Sequence, residues 1–217
     1  MFVRDYMTKH PVMVEPTMST MEAQGIMSEA KIRHLPVIET GKRLVGLVTR
    51  ERLRIPAADL GSLNVWEISR FLANLCVQDV MVRQKNVITI DPGATIEEAA
   101  RLMATNKIGC LPVVEEGIVV GILTEVDMLD QLASLLGAKV EGVRVTIRVP
   151  DRKGEFARVT AAMAERNWGI YASAGVPTPK MPGYWDIVVK VRDVDAEELV
   201  SVLKAIEGQE VIDVREI

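Results

Sequence analysis

The chain has 217 residues, enough for one large domain or two to three small ones. Hydrophobic residues make up 48% and charged residues 26%, the balance of a soluble globular protein, and no apolar run approaches the ~20 residues of a membrane span. The formal net charge is -4, with 14 basic and 17 acidic residues before Ala138 and 12 and 13 after it, so neither a basic domain nor an acidic tail points to nucleic acid.

In chain order, the opening MFVRDYM is charged too early for a signal peptide. Residues near 3 to 54 and 77 to 129 then match each other at an offset of roughly 75 residues, which is domain duplication and not a solenoid repeat. Val3-Arg4-Asp5-Tyr6-Met7 answers Val77-Gln78-Asp79-Val80-Met81, and Val14-Glu15-Pro16 answers Ile90-Asp91-Pro92. Ser19 with Glu22 answers Thr95 with Glu98, a capping box in each copy. KIRHLPVIE from Lys31 answers KIGCLPVVE from Lys107, and GLVT, ending at Thr49, answers GILT, ending at Thr124. Each copy reads as a strand, a helix, two strands and a short final helix. Pro36 and Pro112 open a strand, where a missing amide is tolerated. A unit of ~50 residues is marginal alone, so the two copies should pack sheet to sheet around one core and place their GxxT junctions on opposite sides of a shared cleft. Between them, Asn64 with Glu67 can cap a linker helix in which Trp66 and Phe71 read as packing residues.

The stretch GILTEVD, Gly121 to Asp127, carries the chemistry. Ile118, Val119 and Val120 form a strand, and Leu129, Leu132, Ala133 and Leu136 recur at helical spacing up to Gly137. Thr124 stands at the helix cap and Asp127 in its first turn. Unpartnered first-turn amides attract an anion, and a carboxylate beside them can accept both hydroxyls of a ribose. Taken alone, Thr-x-x-Asp is equally a capping box with no further role.

After Ala138, Val143, Val145, Ile147 and Val149 alternate with polar residues, a strand buried on one face. A DRKG turn from Asp151 leads into a helix with Phe156, Val159 and Met163 on one face. A strand from Ile170, the loop VPTPKMPG, a strand from Tyr184 to Val191, a helix capped by Asp195 with Glu198, and a strand from Val211 follow. The order is βαββαβ, the ferredoxin-like arrangement.

These motifs resemble known families. The repeated LPV and Gly-x-x-Thr-x-x-Asp patterns are similar to a tandem pair of cystathionine-β-synthase (CBS) domains, a Bateman module. The tail resembles an ACT domain, and the combination resembles the acetoin-utilisation regulatory protein family. The implied fold is α+β, with CBS domains over 1–54 and 76–138, a linker helix over 55–75 and an ACT domain over 139–217. The resemblance implies an adenosine nucleotide (AMP, ADP or ATP) as regulatory ligand, with no obligatory cofactor. Asp127 would hold the ribose, with Thr124 beside it. Ile90, Ile108, Cys110, Leu111 and Pro112 would line the adenine slot, and Lys107 would reach phosphate. The matching second site has Lys31, His34, Leu35, Pro36 and Thr49, but Arg52 stands where the ribose-binding Asp should be. Guanidinium is donor only, so this site is either empty or suited to a phosphate-heavy ligand. In the tail, Asp151 and Gly154 match the turn where ACT domains bind amino acids, and dimerisation alone is the alternative role.

An enzyme needs a nucleophile with a base, paired carboxylates or a metal. No GxSxG, HExxH or GxxxxGK[ST] is present, the only histidines are His10 and His34, and Cys76 and Cys110 form no CxxC pair. The expectation is a cytoplasmic, non-catalytic homodimer, joined through CBS or ACT domains, that reports to another protein. The alternative is a ligand-free scaffold.

Overall fold

The computed structural model describes residues 1–54, 66 and 74–217. The chain divides into two compact units, Met1–Met128 and Leu129–Ile217.

The first unit holds both copies of the repeat. Strands β1 (Thr8–Lys9), β2 (His34–Glu39), β3 (Arg43–Thr49), β4 (Val82–Arg83), β5 (Cys110–Glu115) and β6 (Ile118–Thr124) form one six-stranded sheet. In each copy the LPV strand turns back on the Gly-x-x-Thr strand as an antiparallel hairpin, with His34 opposite Thr49 and Cys110 opposite Thr124. The expected strands at Val14 and Ile90 shrink to single parallel bridges, to Val37 and Val113. Helix Thr20–Glu29 opens with a reciprocal capping box between Ser19 and Glu22. Helix Ile96–Asn106 has half of one: Thr95 Oγ1 accepts from the Glu98 amide without the return bond.

One shared core was expected, and the structure has two with a small joint. Val14, Ala23, Met27, Leu35, Val37 and Val48 form one core, and Ile90, Ile96, Ala99, Leu111, Val113 and Leu123 form the other. Leu47, Cys110 and Ile122 make the joint. The reason is an exchange of arms. The short helix Val3–Tyr6 at the start of the first copy packs in the core of the second, with the Val3 and Arg4 amides donating to Ala94 O (2.9 Å) and Pro92 O (3.0 Å). Helix Val77–Val80, at the start of the second copy, packs in the core of the first, with Val77 N donating to Met18 O (2.9 Å) and Gln78 N to Pro16 O (2.9 Å).

The glycines of the two GxxT motifs permit this exchange. A Cβ at Gly46 would lie 2.5 Å from Met81 Sδ and 2.8 Å from Val82 O, and one at Gly121 would collide with Met7. So Met7 and Met81, equivalent in sequence, each rest on the glycine of the opposite copy.

The second unit is a four-stranded antiparallel sheet of β7 (Val143–Pro150), β8 (Gly169–Pro177), β9 (Tyr184–Arg192) and β10 (Glu210–Glu216), in the order β10-β7-β9-β8. Helices Glu155–Ala164 and Ala196–Lys204 complete the βαββαβ order, and Val159, Met163, Leu199 and Leu203 close the core against the valines of β7 and β9. Strand β8 runs on through Pro177, so the proline-rich loop is shorter than the sequence suggests. Phe156, expected in the core, is exposed, and Glu155 is buried beside it. Asp195 caps its helix one way only, accepting from Glu198 N.

Trp66, expected to pack, is 87% exposed; residues 55–65 and 67–73 of the expected linker helix, Phe71 among them, lie outside the described residues. After β3 a single turn replaces the expected final helix, with Leu53 N donating to Thr49 O at 3.2 Å. No helix among the described residues is long and apolar enough to cross a membrane.

Candidate functional site

Both GxxT strands end at a threonine beside a cavity. At the end of β6, Thr124 N and Thr124 Oγ1 each donate to Asp127 Oδ2 at 2.7 Å, and Asp127 N donates weakly back to Thr124 Oγ1 at 3.4 Å. This is a reciprocal cap. It uses the single hydroxyl proton of Thr124 and one oxygen of Asp127, leaving Oδ1 outside these bonds. Asp127 is half-buried, at the start of helix Glu125–Leu135.

At the end of β3 the equivalent groups do different work. Thr49 Oγ1 accepts from Arg52 N at 3.4 Å, and the Arg52 guanidinium donates to Val80 O at 3.4 Å, at the end of the exchanged arm. Arg50 donates to Met27 O (3.3 Å), in the last turn of helix Thr20–Glu29, and to Ile32 O (3.1 Å), just beyond that helix. Placing cations near this turn therefore has a structural reason for Arg50 and Arg52.

A cavity of about 640 Å³ opens at Thr49. The turn after β3 gives it Arg50, Glu51, Arg52 and Arg54, the end of helix Ile96–Asn106 gives Lys107 and Ile108, and the start of β5 gives Cys110. Arg33, His34, Leu47, Val82, Asn86, Val87, Ile88, Gly109 and Glu125 complete it. A cavity of about 320 Å³ opens at Thr124, lined by Thr8, His10, Pro11, Val12, Lys31, Ile32, Arg33, His34, Ile122 and Val126. Both volumes fall in the range of small-molecule sites, the second at its lower end. Arg33 and His34 face both.

The expected site residues are thus divided differently. Lys107, Ile108 and Cys110 share a cavity with Thr49 and Arg52, and Lys31 and His34 share one with Thr124. Asp127 stands behind Thr124 without forming part of the wall. Ile90, Leu35 and Leu111 are core residues, at 5%, 0% and 0% exposure. Pro36 and Pro112 are buried within paired strands. The side chains of β2 and β5 alternate, so the leucine that looks like a slot lining faces inward. Sequence reasoning missed Arg33, Glu125 and the segments 8–12 and 82–88. For the two segments, their equivalence in the repeat was a usable signal; Arg33 and Glu125 answer Gly109 and Arg50 and carried none.

Lys31 and Lys107 both have left-handed backbones, with φ of 55° and 53°. Each ends its helix in a turn in which the next residue donates five back, Ile32 N to Met27 O and Ile108 N to Met103 O. That position favours glycine, so a lysine there carries strain on the wall of each cavity. Burial, and then the charge of Arg33, lower the pKa of His34 from its ordinary value, opposed by Glu125 and Glu51. Burial and then Glu125 push the Cys110 thiol up to about 12, which keeps it protonated and unreactive. Among the described residues no group of histidines, cysteines and acids could hold a metal ion.

In the second unit, Asp151 N donates to Gly183 O at 2.8 Å, and Gly154, with φ 92°, precedes helix Glu155–Ala164. The charge at this turn is met internally. Glu155 accepts from Arg152 Nη2 (3.0 Å), Arg158 Nη1 (3.1 Å) and Gln209 Nε2 (3.3 Å).

The family model for the CBS domain matches residues 3–55 and 77–134, about half of the chain. The chain belongs to the CBS-domain family. Among solved structures, a putative acetoin utilization protein (AcuB) from Vibrio cholerae is 32% identical, with a TM-score of 0.53 over 64% of this chain and 95% of that one. The CBS domain pair of protein MJ0100, in complex with 5'-methylthioadenosine and S-adenosyl-L-methionine, is 28% identical, with a TM-score of 0.51 over 64% and 98%. CBSX2 from Arabidopsis thaliana, in complex with AMP, is 28% identical, with a TM-score of 0.50 over 60% and 95%. The uncharacterized protein MJ1225 of Methanocaldococcus jannaschii is 33% identical over 138 residues, 60% of this chain and 47% of its own length. The chain thus spans about half of that relative. It spans 22–23% of several enzymes to which it is also similar, inosine-5'-monophosphate dehydrogenase of Korarchaeum cryptofilum among them.

Proposed function

We propose that this chain is a non-catalytic regulatory sensor whose CBS pair takes an adenosine nucleotide in the smaller cavity. The observation that carries the reading is Thr124 on the cavity wall with Asp127 bonded behind it, one carboxylate oxygen held and the other outside that pair of bonds. Asp127 Oδ1 is an acceptor that the cap does not use and that a ribose hydroxyl would meet once the carboxylate turns toward the wall, and Lys31 on the wall supplies a phosphate partner. The adenosine compounds bound by the MJ0100 pair and by CBSX2 support the ligand class.

The second unit, in this reading, is an ACT-type module that pairs two copies in the cytoplasm. Dimerisation suits it better than amino-acid binding at Asp151 and Gly154, because Glu155 already takes the charge of Arg152 and Arg158. Likeness to the Vibrio cholerae protein supports a regulated partner in acetoin utilisation. A ligand-free scaffold is the competing reading, and the local bonds of Asp127 favour it, since a cap needs no ligand.

Native mass spectrometry of freshly purified protein gives the subunit count and any retained nucleotide. A thermal-shift panel of AMP, ADP, ATP and S-adenosylmethionine then decides between sensor and scaffold, because a ligand specific to the folded state at 100 times its Kd adds ~2.7 kcal/mol. The sensor reading expects a shift that Asp127→Ala abolishes, measured against the variant's own midpoint. No shift with any of the four leaves the scaffold.

A further inference from the structure

Met7 and Met81 are equivalent in the repeat and stand at equivalent joints. Each is the C-cap of an exchanged arm, its amide donating at 2.9 Å to the carbonyl of Val3 or of Val77. Each thioether crosses to the other copy and lies against the backbone of Gly121 or Gly46, in the space a Cβ would occupy. Both glycines are buried in strands paired on two sides, Gly46 opposite Val37 and Arg83, and Gly121 opposite Val113 and Lys9. The sulfur therefore packs on a surface that has nowhere to recede. Methionines that simply fill a core look different. Met27, Met103 and Met163 are buried, whereas Met7 and Met81 are half-buried at the edges of their cores. Partial exposure opens these two thioethers to a small polar reagent, and the contact with glycine leaves no space for an added atom on that side.

We propose that Met7 and Met81 are paired oxidation sites through which a hydroperoxide loosens the exchanged arms. The sulfur lone pair takes one peroxide oxygen, the O–O bond breaks, and water or an alcohol leaves. Sulfur loses two electrons and the peroxide gains them, so no cofactor enters the step. The sulfoxide is polar and chiral where the thioether was apolar and flexible. A buried oxygen without a donor is costly, and turning it to water draws the side chain off its glycine. The residues that come next are the ones that move. Thr8–Lys9 and Val82–Arg83 pair with the glycine strands, and segments 8–12 and 82–88 line the two cavities. Oxidation at either joint thus frees an arm from the opposite copy and slackens a cavity wall. Cys76, half-buried at the N-cap of helix Val77–Val80, is the other oxidisable group beside an arm. Its counterpart in the first copy is Phe2, so a thiol cannot serve both arms.

No ligand enters the test, so it stands apart from the adenosine reading. The probe is hydrogen peroxide, added to the full chain carrying Cys76→Ser so that no half-buried thiol competes. Peptide mass spectrometry follows each of the 11 methionines. Thermal unfolding gives the midpoint, and hydrogen exchange reports on residues 1–12 and 77–88. Met21 and Met181, both exposed, should oxidise first and leave the midpoint where it was. Met7 and Met81 should follow, ahead of Met27, Met103 and Met163. The midpoint should then fall by about 5 °C, and exchange in the two arms should quicken about tenfold. Methionine sulfoxide reductases A and B, which take opposite epimers, should together restore both. In Met7→Leu with Met81→Leu, a volume-conserving change, peroxide should move the midpoint by less than about 1 °C while Met21 still oxidises. The order of oxidation in the methionine-bearing chain decides the matter even where the double variant folds poorly. The proposal is overturned if Met7 and Met81 oxidise no faster than Met27 and Met103. It is equally overturned if their sulfoxides leave midpoint and exchange unchanged, or if peroxide destabilises the double variant as much as its parent.

Discussion

The exchange of arms makes Gly46 the least replaceable small residue in the first unit. In Gly46→Ala the new methyl must find room against Met81 Sδ at 2.5 Å and Val82 O at 2.8 Å. The thioether can swing away, but Val82 O belongs to a backbone paired with β3, where Leu47 lies opposite Val82 and Gly46 opposite Arg83. Relief therefore requires β4 and the helix Val77–Val80 to move off the first core. Overpacking of this kind costs about 1–3 kcal/mol, and burying one methyl returns ~0.8 kcal/mol at most, so a net loss of about 1 kcal/mol, and at most about 2, is expected. Gly25 is the control. It lies exposed in helix Thr20–Glu29 with nothing within 4 Å of an added Cβ, so Gly25→Ala should stabilise by about 0.5–1 kcal/mol. Urea unfolding followed by circular dichroism gives both values. Hydrogen exchange should show Gly46→Ala loosening residues 77–83 before the hairpin of β2 and β3. Adding Met81→Ala should recover only part of the loss, because Val82 O remains. If Gly46→Ala matches the wild type in stability and exchange, the arm does not rest on this glycine and the packing argument is wrong.

Three further outcomes follow from other residues. Lys107→Gly relieves the left-handed backbone and should raise stability by about 0.5 kcal/mol in urea unfolding; a loss above about 1 kcal/mol would show that the side chain is structural. His34 has a folded pKa below its ordinary value, so its contribution to stability is full above about pH 6.5 and is lost as pH falls. A bound anion reverses that bias, so anion binding should take up a proton and tighten between pH 7.5 and 6, and calorimetry in two buffers should find no such uptake in His34→Asn. In the second unit, the bond from Arg148 holds the Asp186 carboxyl below its ordinary range; burial opposes it, and Thr178 and the charge of Arg148 add to it. That contribution is present above about pH 4 and lost on acidification, so Asp186→Asn should flatten the acid limb of the unfolding midpoint while lowering stability at pH 7.

Local grammar carried much of this fold into the sequence. Ser19 with Glu22, the hairpins after Pro36 and Pro112, and the alternating valines of β7 needed only neighbours within a few residues, and each reads from the chain directly. What escaped depends on partners far along the chain. Nothing near Val3 announces that its amide will bond to Ala94, because a docked arm and a first strand share the same apolar spacing. Glu155 is buried and Phe156 exposed because Arg152, Arg158 and Gln209 converge on the carboxylate, and Gln209 lies 54 residues away. Site residues suffered in the same way. Leu35 and Leu111 stand out in the motif yet point into the cores, while His34, one residue before Leu35, faces both cavities. Strand phase decides between them, and phase is fixed by which face of the hairpin the opposite arm covers.

The exchanged arms also decide how a ligand could matter. Segment 8–12 follows the arm docked on the second copy and lines the cavity of Thr124, beside residues 31–34 of the first. Segment 82–88 follows the reciprocal arm and lines the cavity of Thr49, beside Lys107 and Ile108 of the second. Each cavity wall therefore contains both copies, and a ligand in either one touches both bodies at once. Such a ligand shifts their arrangement only if it binds two arrangements unequally, and tight binding alone shifts nothing. The shared residues supply a route to that inequality. Arg33 and His34 face both cavities, so an anion that draws the guanidinium to one side removes a donor from the other. Two anions then compete for one charge without touching, and by linkage each weakens the other by the same factor. A ligand without negative charge makes no claim on Arg33, so the sign of the coupling between the cavities follows from the phosphates their ligands carry.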